Sequence, residues 1–396
     1  MSATPTISWP EDRSNRSAQA DRTDQSDRTD QPARSTHWHS ESCAPPPRRV
    51  VVADDSTKAA TAYQLACEGT ALLWQGDFHN ARQLLQAMGR RIDRKSNPAR
   101  PDATPAESFH LHRRARGHRA RVLGKLLVLL EDDHSLSLRR APDVRRACTE
   151  AYGPPRGERA VSLTELLGVI GAHEWREKGV EVPALGDGIR IHPHYGVFSP
   201  VRGEYVDLVA RAPLPANPRT AFDLGTGTGV LAAVLARRGL SRVVATDIGP
   251  RALACARENA GRLGLADRVE VTGPDLYPEG RADLVVCNPP WLPARPTSTV
   301  EQGVYDPDGT MLHGFLHGLA DHLHPGGEGW LVLSDLAEHL GLRTREALLT
   351  AITTAGLRVT ARLDTSPHHP RARDTTDPLH QARAAEVTSL WRLIPD

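Results

Sequence analysis

The sequence predicts a doubly wound α/β fold in its C-terminal half, and three observations support this fold class. Short apolar segments of strand length alternate with segments of helical spacing from Thr220 onward. A glycine-rich turn joins the first of these strands to the first helix. Polar residues follow four successive strands, at the edge where parallel sheets bind ligands. The C-terminal half is therefore expected to carry a ligand-binding site.

Seven strands are predicted, and the last two are expected to form an antiparallel hairpin. The strands cover residues 220–224, 242–246, 268–272, 282–287, 329–333, 357–363 and 386–393. Helices are predicted from about residue 229 and over 251–263, 311–322 and about 343–355. A helix signal at Val161 and a small hairpin over 189–202 precede this core.

The sequence predicts a different structure for the N-terminal part of the chain. Residues 1–55 carry few aliphatic side chains and are expected to form a disordered tail. Residues 56–155 show helical spacing and no strand alternation, which predicts an all-helical accessory domain. Residues 156–396 then form the ligand-binding domain, with its core at 190–396.

The predicted helical domain is basic. From residue 56 to residue 130 there are 13 Lys and Arg against 5 Asp and Glu, whereas the whole chain carries a net charge of +1. Such a surface can bind RNA or DNA through phosphate neutralisation. Arg outnumbers Lys by 45 to 4 along the whole sequence, so a solvated arginine-rich surface explains the same charge.

Composition excludes several other classes of protein. No stretch approaches the roughly 20 apolar residues of a membrane helix, and the N-terminus lacks a signal-peptide pattern. Five scattered cysteines predict neither a disulfide framework nor a zinc site. The histidine pairs His192/His194 and His313/His317 lack a third ligand or a glutamate, so no metal is expected. We expect a cytoplasmic protein without a membrane partner.

The glycine turn has the sequence Asp-Leu-Gly-Thr-Gly-Thr-Gly, with glycines at 225, 227 and 229. A phosphate-binding Walker loop would need Gly-Lys-Ser/Thr at its end, but Val230 follows Gly229. The third glycine also comes one place too early for a dinucleotide fingerprint. Asp223 suits a ligand that carries an ammonium and a sulfonium. Asp247 is placed to accept from ribose hydroxyls, and Asp275 from an adenine amino group.

The second landmark is Asn288-Pro289-Pro290-Trp291, directly after the fourth strand. The prolines stiffen this loop, because each fixes its own φ and restricts the residue before it. The Asn288 side-chain oxygen and the Pro289 carbonyl can accept both N–H bonds of a planar amide or amino group. Trp291 can stack on the flat group. When both N–H groups donate hydrogen bonds to these two oxygens, the nitrogen more readily becomes pyramidal while its lone pair attacks a methyl group.

These motifs, in this order and spacing, resemble those of class I S-adenosylmethionine-dependent methyltransferases, which have a Rossmann-like fold. The resemblance covers roughly residues 190–396. It implies S-adenosylmethionine as cofactor, bound by Asp223, Gly225, Thr226, Gly227, Gly229, Asp247, Ile248, Asp275 and Asn288. It implies methyl transfer to nitrogen at Asn288, Pro289, Pro290 and Trp291.

Within that family the sequence is similar to release-factor glutamine N5-methyltransferases. Tyr195, Phe198, Pro200, Arg202 and Glu204 lie where that group has its substrate lead-in, although Trp291 replaces the usual Tyr. The resemblance implies a macromolecular substrate, either a protein such as a release factor or RNA bound through the basic helical domain. A nucleic-acid base or a small molecule as methyl acceptor, and a non-catalytic scaffold, remain alternatives. The sequence leaves the oligomeric state open.

Overall fold

The structure is a computed structural model that describes residues 5–10, 33–95, 102–296, 300–368 and 374–396. The chain divides into two compact units. The first comprises Met1–Pro98 and Arg114–Gly171, and the second comprises Ala99–Arg113 and Ala172–Asp396. Within the described ranges, every helix is too short or too polar to cross a bilayer.

The first unit is built on a six-stranded mixed sheet. Its strands are β1 (Thr6–Pro10), β2 (Ala33–Trp38), β3 (Val50–Ala53), β4 (Ala71–Trp74), β5 (Leu126–Leu130) and β6 (Arg159–Ser162). Their order is β1-β2-β6-β5-β4-β3, in which β3, β4 and β5 run parallel. The helices along this part of the chain are α1 (Ala59–Cys67), α2 (Phe78–Lys95), α3 (Pro105–Leu123), α4 (Arg145–Tyr152) and α5 (Leu163–Lys178).

The predicted all-helical domain is therefore wrong, because this unit contains a sheet. Strands β4 and β5 are continuous apolar segments whose residues are almost all buried. Buried parallel strands lack polar alternation, so their sequence cannot be distinguished from a buried helical segment by periodicity. Part of the helical spacing predicted for residues 56–155 is confirmed, since Phe78–Lys95 form α2.

The predicted disordered tail is wrong for its described residues. Ile7 and Trp9 on β1 alternate with exposed neighbours, and both are buried in one apolar cluster with Trp38 and Val50. Long-range pairing between β1 and β2 forms this structure, and no local pattern indicates it. Residues 1–4 and 11–32 of the predicted tail lie outside the described residues. The predicted domain limits remain predictions.

The second unit contains the predicted seven-stranded sheet. A separate two-stranded pair, β7 (Val180–Glu181) and β8 (Arg190–Ile191), precedes it. The strands of the seven-stranded sheet are β9 (Thr220–Leu224), β10 (Arg242–Thr246), β11 (Val269–Thr272), β12 (Ala282–Cys287), β13 (Leu323–Ser334), β14 (Leu357–Thr365) and β15 (Thr388–Pro395). The order is β11-β10-β9-β12-β13-β15-β14. Strand β15 pairs antiparallel with β13 and β14, so the predicted C-terminal hairpin is confirmed.

Helices cover both faces of this sheet, which gives the predicted doubly wound, Rossmann-like fold. They are α6 (Glu204–Arg211), α7 (Val230–Arg237), α8 (Pro250–Arg262), α9 (Thr310–Leu319), α10 (Leu336–His339), α11 (Arg345–Thr354) and α12 (His380–Ala385). Alternate residues of the central strands enter two separate cores. Ala221 packs with α6 and α7, whereas Phe222 packs with α9 and α11. The predicted hairpin over 189–202 reduces to β8, which pairs with β7.

Candidate active site

The two sequence landmarks lie side by side at the carboxyl edge of the sheet. Strand β9 lies between β10 and β12, so the direction of strand succession reverses between β9 and β12. Leu224 and Cys287 are register partners at the ends of these two strands. The glycine loop and Asn288 therefore begin at neighbouring positions. This reversal is the place where open α/β sheets bind their ligands.

All three loop glycines adopt positive φ, at 68° for Gly225, 55° for Gly227 and 82° for Gly229. A Cβ at Gly225 would overlap the methyl group of Met311, and a Cβ at Gly229 would lie 3.1 Å from the Ala256 Cα. Gly227 differs, because a Cβ there would meet no described atom within 4 Å. The loop thus packs tightly at both ends and leaves space at its centre.

The Asp223 carboxylate lies beneath the loop and has only 1% of its surface exposed. Its Oδ2 accepts from Thr226 Oγ1 at 2.6 Å and from the backbone N–H of Ala232, in the first turn of α7, at 2.9 Å. Burial raises the pKa of Asp223 to about 6, although these two hydrogen bonds oppose the rise. In the structure Asp223 therefore stabilises the shape of the loop, and its predicted contact with the cofactor remains a prediction.

The Asp247 carboxylate connects the ends of two strands. It accepts from Gly227 N at 3.0 Å and from Gly249 N at 2.8 Å. Burial raises the pKa of this carboxyl group. Ile248 beside it is 75% exposed, and Asp275 after β11 is also exposed. Of these three side chains, Asp247 is the one that contacts the open centre of the loop, through Gly227 N.

The Asn288–Trp291 segment is closed by a hydrogen bond of its own. The indole Nε1 of Trp291 donates to Asn288 Oδ1 at 2.9 Å, and Pro289 is buried beneath it. The Arg202 guanidinium lies 5.3 Å from the centre of the Trp291 ring. Arg202 also donates to the buried carboxylate of Glu386 at 3.0 Å. Glu386 in turn accepts from Ser334 Oγ at 2.7 Å.

The structure brings only part of the predicted substrate lead-in to this segment. Arg202 contacts Trp291, and Phe198 lies against the backbone of Gly303 in the loop that follows it. Pro200 is buried. The other two predicted residues have partners elsewhere: Tyr195 lies under Arg251, with 5.5 Å from the guanidinium carbon to the ring centre, and buried Glu204 accepts from His368 N at 2.6 Å.

The histidines and Cys287 have structural partners. His194 Nε2 lies 2.8 Å from Glu258, and His192 Nδ1 lies 2.6 Å from the carbonyl of Arg176. His313 and His317 are exposed on α9. Cys287 is fully buried, and burial raises the pKa of its thiol well above its usual value, so a thiolate nucleophile is disfavoured there.

Sequence analysis missed Met311 and Glu386, which contact the glycine loop and Arg202. Both lie far along the chain from the residues they contact. Neither belongs to a motif, so no local signal could have identified them.

Comparison with known proteins gives the class of the C-terminal domain and the family model that part of it matches. The fold and the two motifs define a methyltransferase domain, and residues 188–350 match the family model of the methyltransferase small domain. The predicted resemblance to S-adenosylmethionine-dependent methyltransferases is confirmed for this part of the chain.

Two relatives are named after protein substrates. A release factor glutamine methyltransferase of Cereibacter sphaeroides is 35% identical over 153 residues, which is 35% of this chain and 52% of the relative. A ribosomal protein L11 methyltransferase of Vibrio cholerae is 35% identical over 173 residues, which is 41% of this chain and 56% of the relative. The chain thus spans about half the length of these two relatives.

A methyltransferase of Pyrococcus furiosus of known structure superposes with a TM-score of 0.38 at 18% identity, covering 57% of this chain and 96% of that one.

The donor side of the site fits S-adenosylmethionine on the geometry alone. The open centre of the loop at Gly227 lets a ligand approach the backbone closely. The exposed Ile248 offers an apolar surface for an adenine ring, and Asp247 lies next to it in sequence.

Proposed function

We propose that this chain transfers a methyl group from S-adenosylmethionine to a planar amide nitrogen, and that the acceptor is a glutamine side chain of a protein. One observation supports this most strongly. Asn288, followed by two prolines, stands at the end of the strand beside the glycine loop. An amide-recognition loop therefore adjoins a loop shaped for the methyl donor.

The acceptor side needs hydrogen-bond acceptors and no strong base. Asn288 Oδ1 uses one lone pair for Trp291 and keeps another for an acceptor N–H. The Pro289 carbonyl is the second acceptor for the same nitrogen. With both N–H bonds so oriented, the nitrogen lone pair is directed toward the donor side. The nitrogen forms its new bond to the methyl carbon as the carbon–sulfur bond breaks. The electron pair of that bond stays on sulfur, which leaves as the neutral thioether S-adenosylhomocysteine, and the surplus proton on nitrogen then passes to water.

On the donor side, S-adenosylmethionine supplies an electrophilic methyl group on a positively charged sulfur. In this proposal Asp247 accepts hydrogen bonds from the ribose hydroxyls and Ile248 contacts the adenine ring. Asp275 accepts a hydrogen bond from the adenine amino group. Gly225, Thr226, Gly227 and Gly229 bring the backbone to the ligand. Asp223 acts through Thr226 and Ala232, whose positions it sets.

The choice of glutamine rests on two supports. One relative is a release factor glutamine methyltransferase. Phe198 of the lead-in lies against Gly303, and Arg202 lies beside Trp291, where a substrate segment would enter. The cytoplasmic location expected from the sequence remains a prediction and belongs with this proposal.

A second candidate acceptor is the amino nitrogen of an RNA base. The observation that favours it is the exposure of Arg114, Arg116 and Arg121 on α3, a basic surface suited to phosphate. An amino group on a base is planar too, so the Asn288 chemistry would serve it equally.

Transfer of labelled methyl groups from S-adenosylmethionine into cell extract tests the proposal. Portions of the product are treated with protease or with nuclease. We expect the label to become acid-soluble after protease and to remain precipitable after nuclease. The opposite result would identify RNA as the acceptor, and the absence of label in every fraction would contradict methyl transfer.

A further inference from the structure

Arg113 belongs to the second unit and, unlike the exposed Arg114, Arg116, Arg119 and Arg121, has a mostly buried side chain. Only 15% of that side chain is exposed. Its Nη1 donates to Glu301 Oε2 at 3.2 Å, and its Nη2 donates to the carbonyl of Arg295 at 2.5 Å. The guanidinium carbon lies 3.9 Å from the centre of the Tyr305 ring. One guanidinium therefore contacts three points of a single loop.

That loop is described at residues 292–296 and 300–306. It follows Trp291 along the chain, and we call these described residues the acceptor loop. Two backbone hydrogen bonds close its base: Leu292 N donates to Val304 O at 3.1 Å, and Asp306 N donates to Leu292 O at 3.0 Å. Residues 297–299, between its two stretches, lie outside the described residues. Any shift of this base moves Trp291, and with it the hydrogen bond to Asn288.

The acceptor loop also reaches the donor side. The buried Asp306 accepts from Met311 N at 2.7 Å. The Met311 side chain then covers Gly225 of the glycine loop. On its other side, Gly303 packs on Phe198 of the lead-in. The acceptor loop therefore contacts Met311 on the donor side and Phe198 of the lead-in, and it continues the chain from Trp291.

An apolar cluster secures the helix that carries Arg113. Phe109, one turn earlier on α3, is 2% exposed and packs with Leu292, Tyr305, Leu336, Leu340 and Leu379. Arg113 thus projects from a fixed base. Because its fork is planar and rigid, it can contact a carboxylate, a carbonyl and a ring face together, which a lysine ammonium cannot do.

We propose that Arg113 is a positioning residue, which fixes the acceptor loop and through it sets Trp291 and Asn288 for the methyl acceptor. This inference rests on the proposed function for its kinetic part only. Arg113 contacts the loop at Arg295, Glu301 and Tyr305, whereas Met311, which covers Gly225, is held by Asp306. We therefore expect its effect to fall on use of the acceptor and not on binding of the methyl donor.

The test compares Arg113→Ala with Arg114→Ala in the full chain. Arg114 is the next residue on the same helix and is exposed, so its removal is a matched control. We expect Arg113→Ala to raise KM for the acceptor about tenfold and to leave the Kd for S-adenosylmethionine unchanged. Arg113→Lys should recover part of the loss, because it keeps the charge opposite Glu301.

Hydrogen exchange supplies a readout that does not require turnover. We expect faster amide exchange at 288–296 and 300–306 in Arg113→Ala than in Arg114→Ala. Equal exchange and equal kinetics in the two variants would overturn the inference. A parallel loss of donor affinity, acceptor use and melting temperature would overturn it too, since that pattern marks a general structural role. If the wild-type chain transfers no methyl group, the proposed function fails, and the exchange comparison still decides the role of Arg113.

Discussion

The indole Nε1 of Trp291 donates to Asn288 Oδ1 across 2.9 Å, within the same four-residue segment. This bond fixes which face of the Asn288 amide is turned toward the site. The bond also gives a physical reason for Trp at position 291, because the indole ring carries an N–H that reaches Asn288, three residues earlier. We therefore assign Trp291 the task of orienting Asn288, in addition to the stacking that the sequence predicted.

Replacing Trp291 with Phe tests this relationship. The variant keeps a large aromatic ring but loses the N–H donor, so Asn288 becomes free to rotate. We expect kcat for methyl transfer to fall about tenfold and the Kd for S-adenosylmethionine to stay unchanged. Trp330→Phe is the control, since Trp330 donates its own indole N–H to Glu328 at 3.2 Å. Equal kcat values in the two variants would contradict the orienting role.

The centre of the glycine loop offers a second prediction. Gly227→Ala places a methyl group in the space that the structure leaves open, at a φ of 55°. We expect loss of S-adenosylmethionine binding in titration calorimetry, with a stability cost of about 1–2 kcal/mol from the left-handed backbone. Gly239→Ala, at a φ of 102° after α7 and equally open, should carry a similar cost and bind normally. Unchanged binding in Gly227→Ala would place the donor elsewhere.

Ile248 provides a test of the adenine surface. Its side chain is 75% exposed, so Ile248→Ser removes little buried area and should leave the melting temperature unchanged. We expect S-adenosylmethionine affinity to fall about tenfold, because the ligand would lose its apolar contact. Leu349→Ser, at a leucine that is 40% exposed on α11, is the control and should bind normally. Equal affinities would remove Ile248 from the site.

The raised pKa of Asp223 predicts a pH-dependent stability. Between about pH 4 and 6 the folded chain retains a proton that the unfolded chain has released, since burial raises the pKa from 3.8 to about 6. The free energy of unfolding should therefore fall as pH rises through this window, by up to about 3 kcal/mol from this group. Denaturant unfolding at a series of pH values should show this fall reduced in Asp223→Asn. The exposed Asp267→Asn should retain it, and an identical slope in both variants would contradict the assignment.

Much of the second unit could be predicted from sequence because its strands are short and regularly separated by helices. The bounds 220–224, 242–246 and 282–287 agree with β9, β10 and β12. Glycines and prolines mark the two loops directly, since each imposes its own backbone geometry. The positions of Gly225 and Asn288 at adjacent strand ends follow from the strand order.

The rest depends on contacts that no local pattern records. Arg202 pairs with Glu386 across 184 residues, and Arg113 pairs with Glu301 across 188 residues. The basic segment suggested a nucleic-acid surface, yet the Arg113 guanidinium lies within the second unit. In the first unit, β4 and β5 are apolar throughout, and only their pairing distinguishes them from helix.

Methyl transfer by Asn288→Ala tests the central claim most directly. The measurement combines titration of S-adenosylmethionine with mass-spectrometric location of the methyl group on the acceptor protein. We expect the wild-type chain to place the methyl group on a glutamine side-chain nitrogen. The variant should bind the donor with wild-type affinity and transfer methyl groups at least about a hundredfold more slowly. Transfer by Asn288→Ala at the wild-type rate, or a methyl group on another atom, would contradict this account of the site.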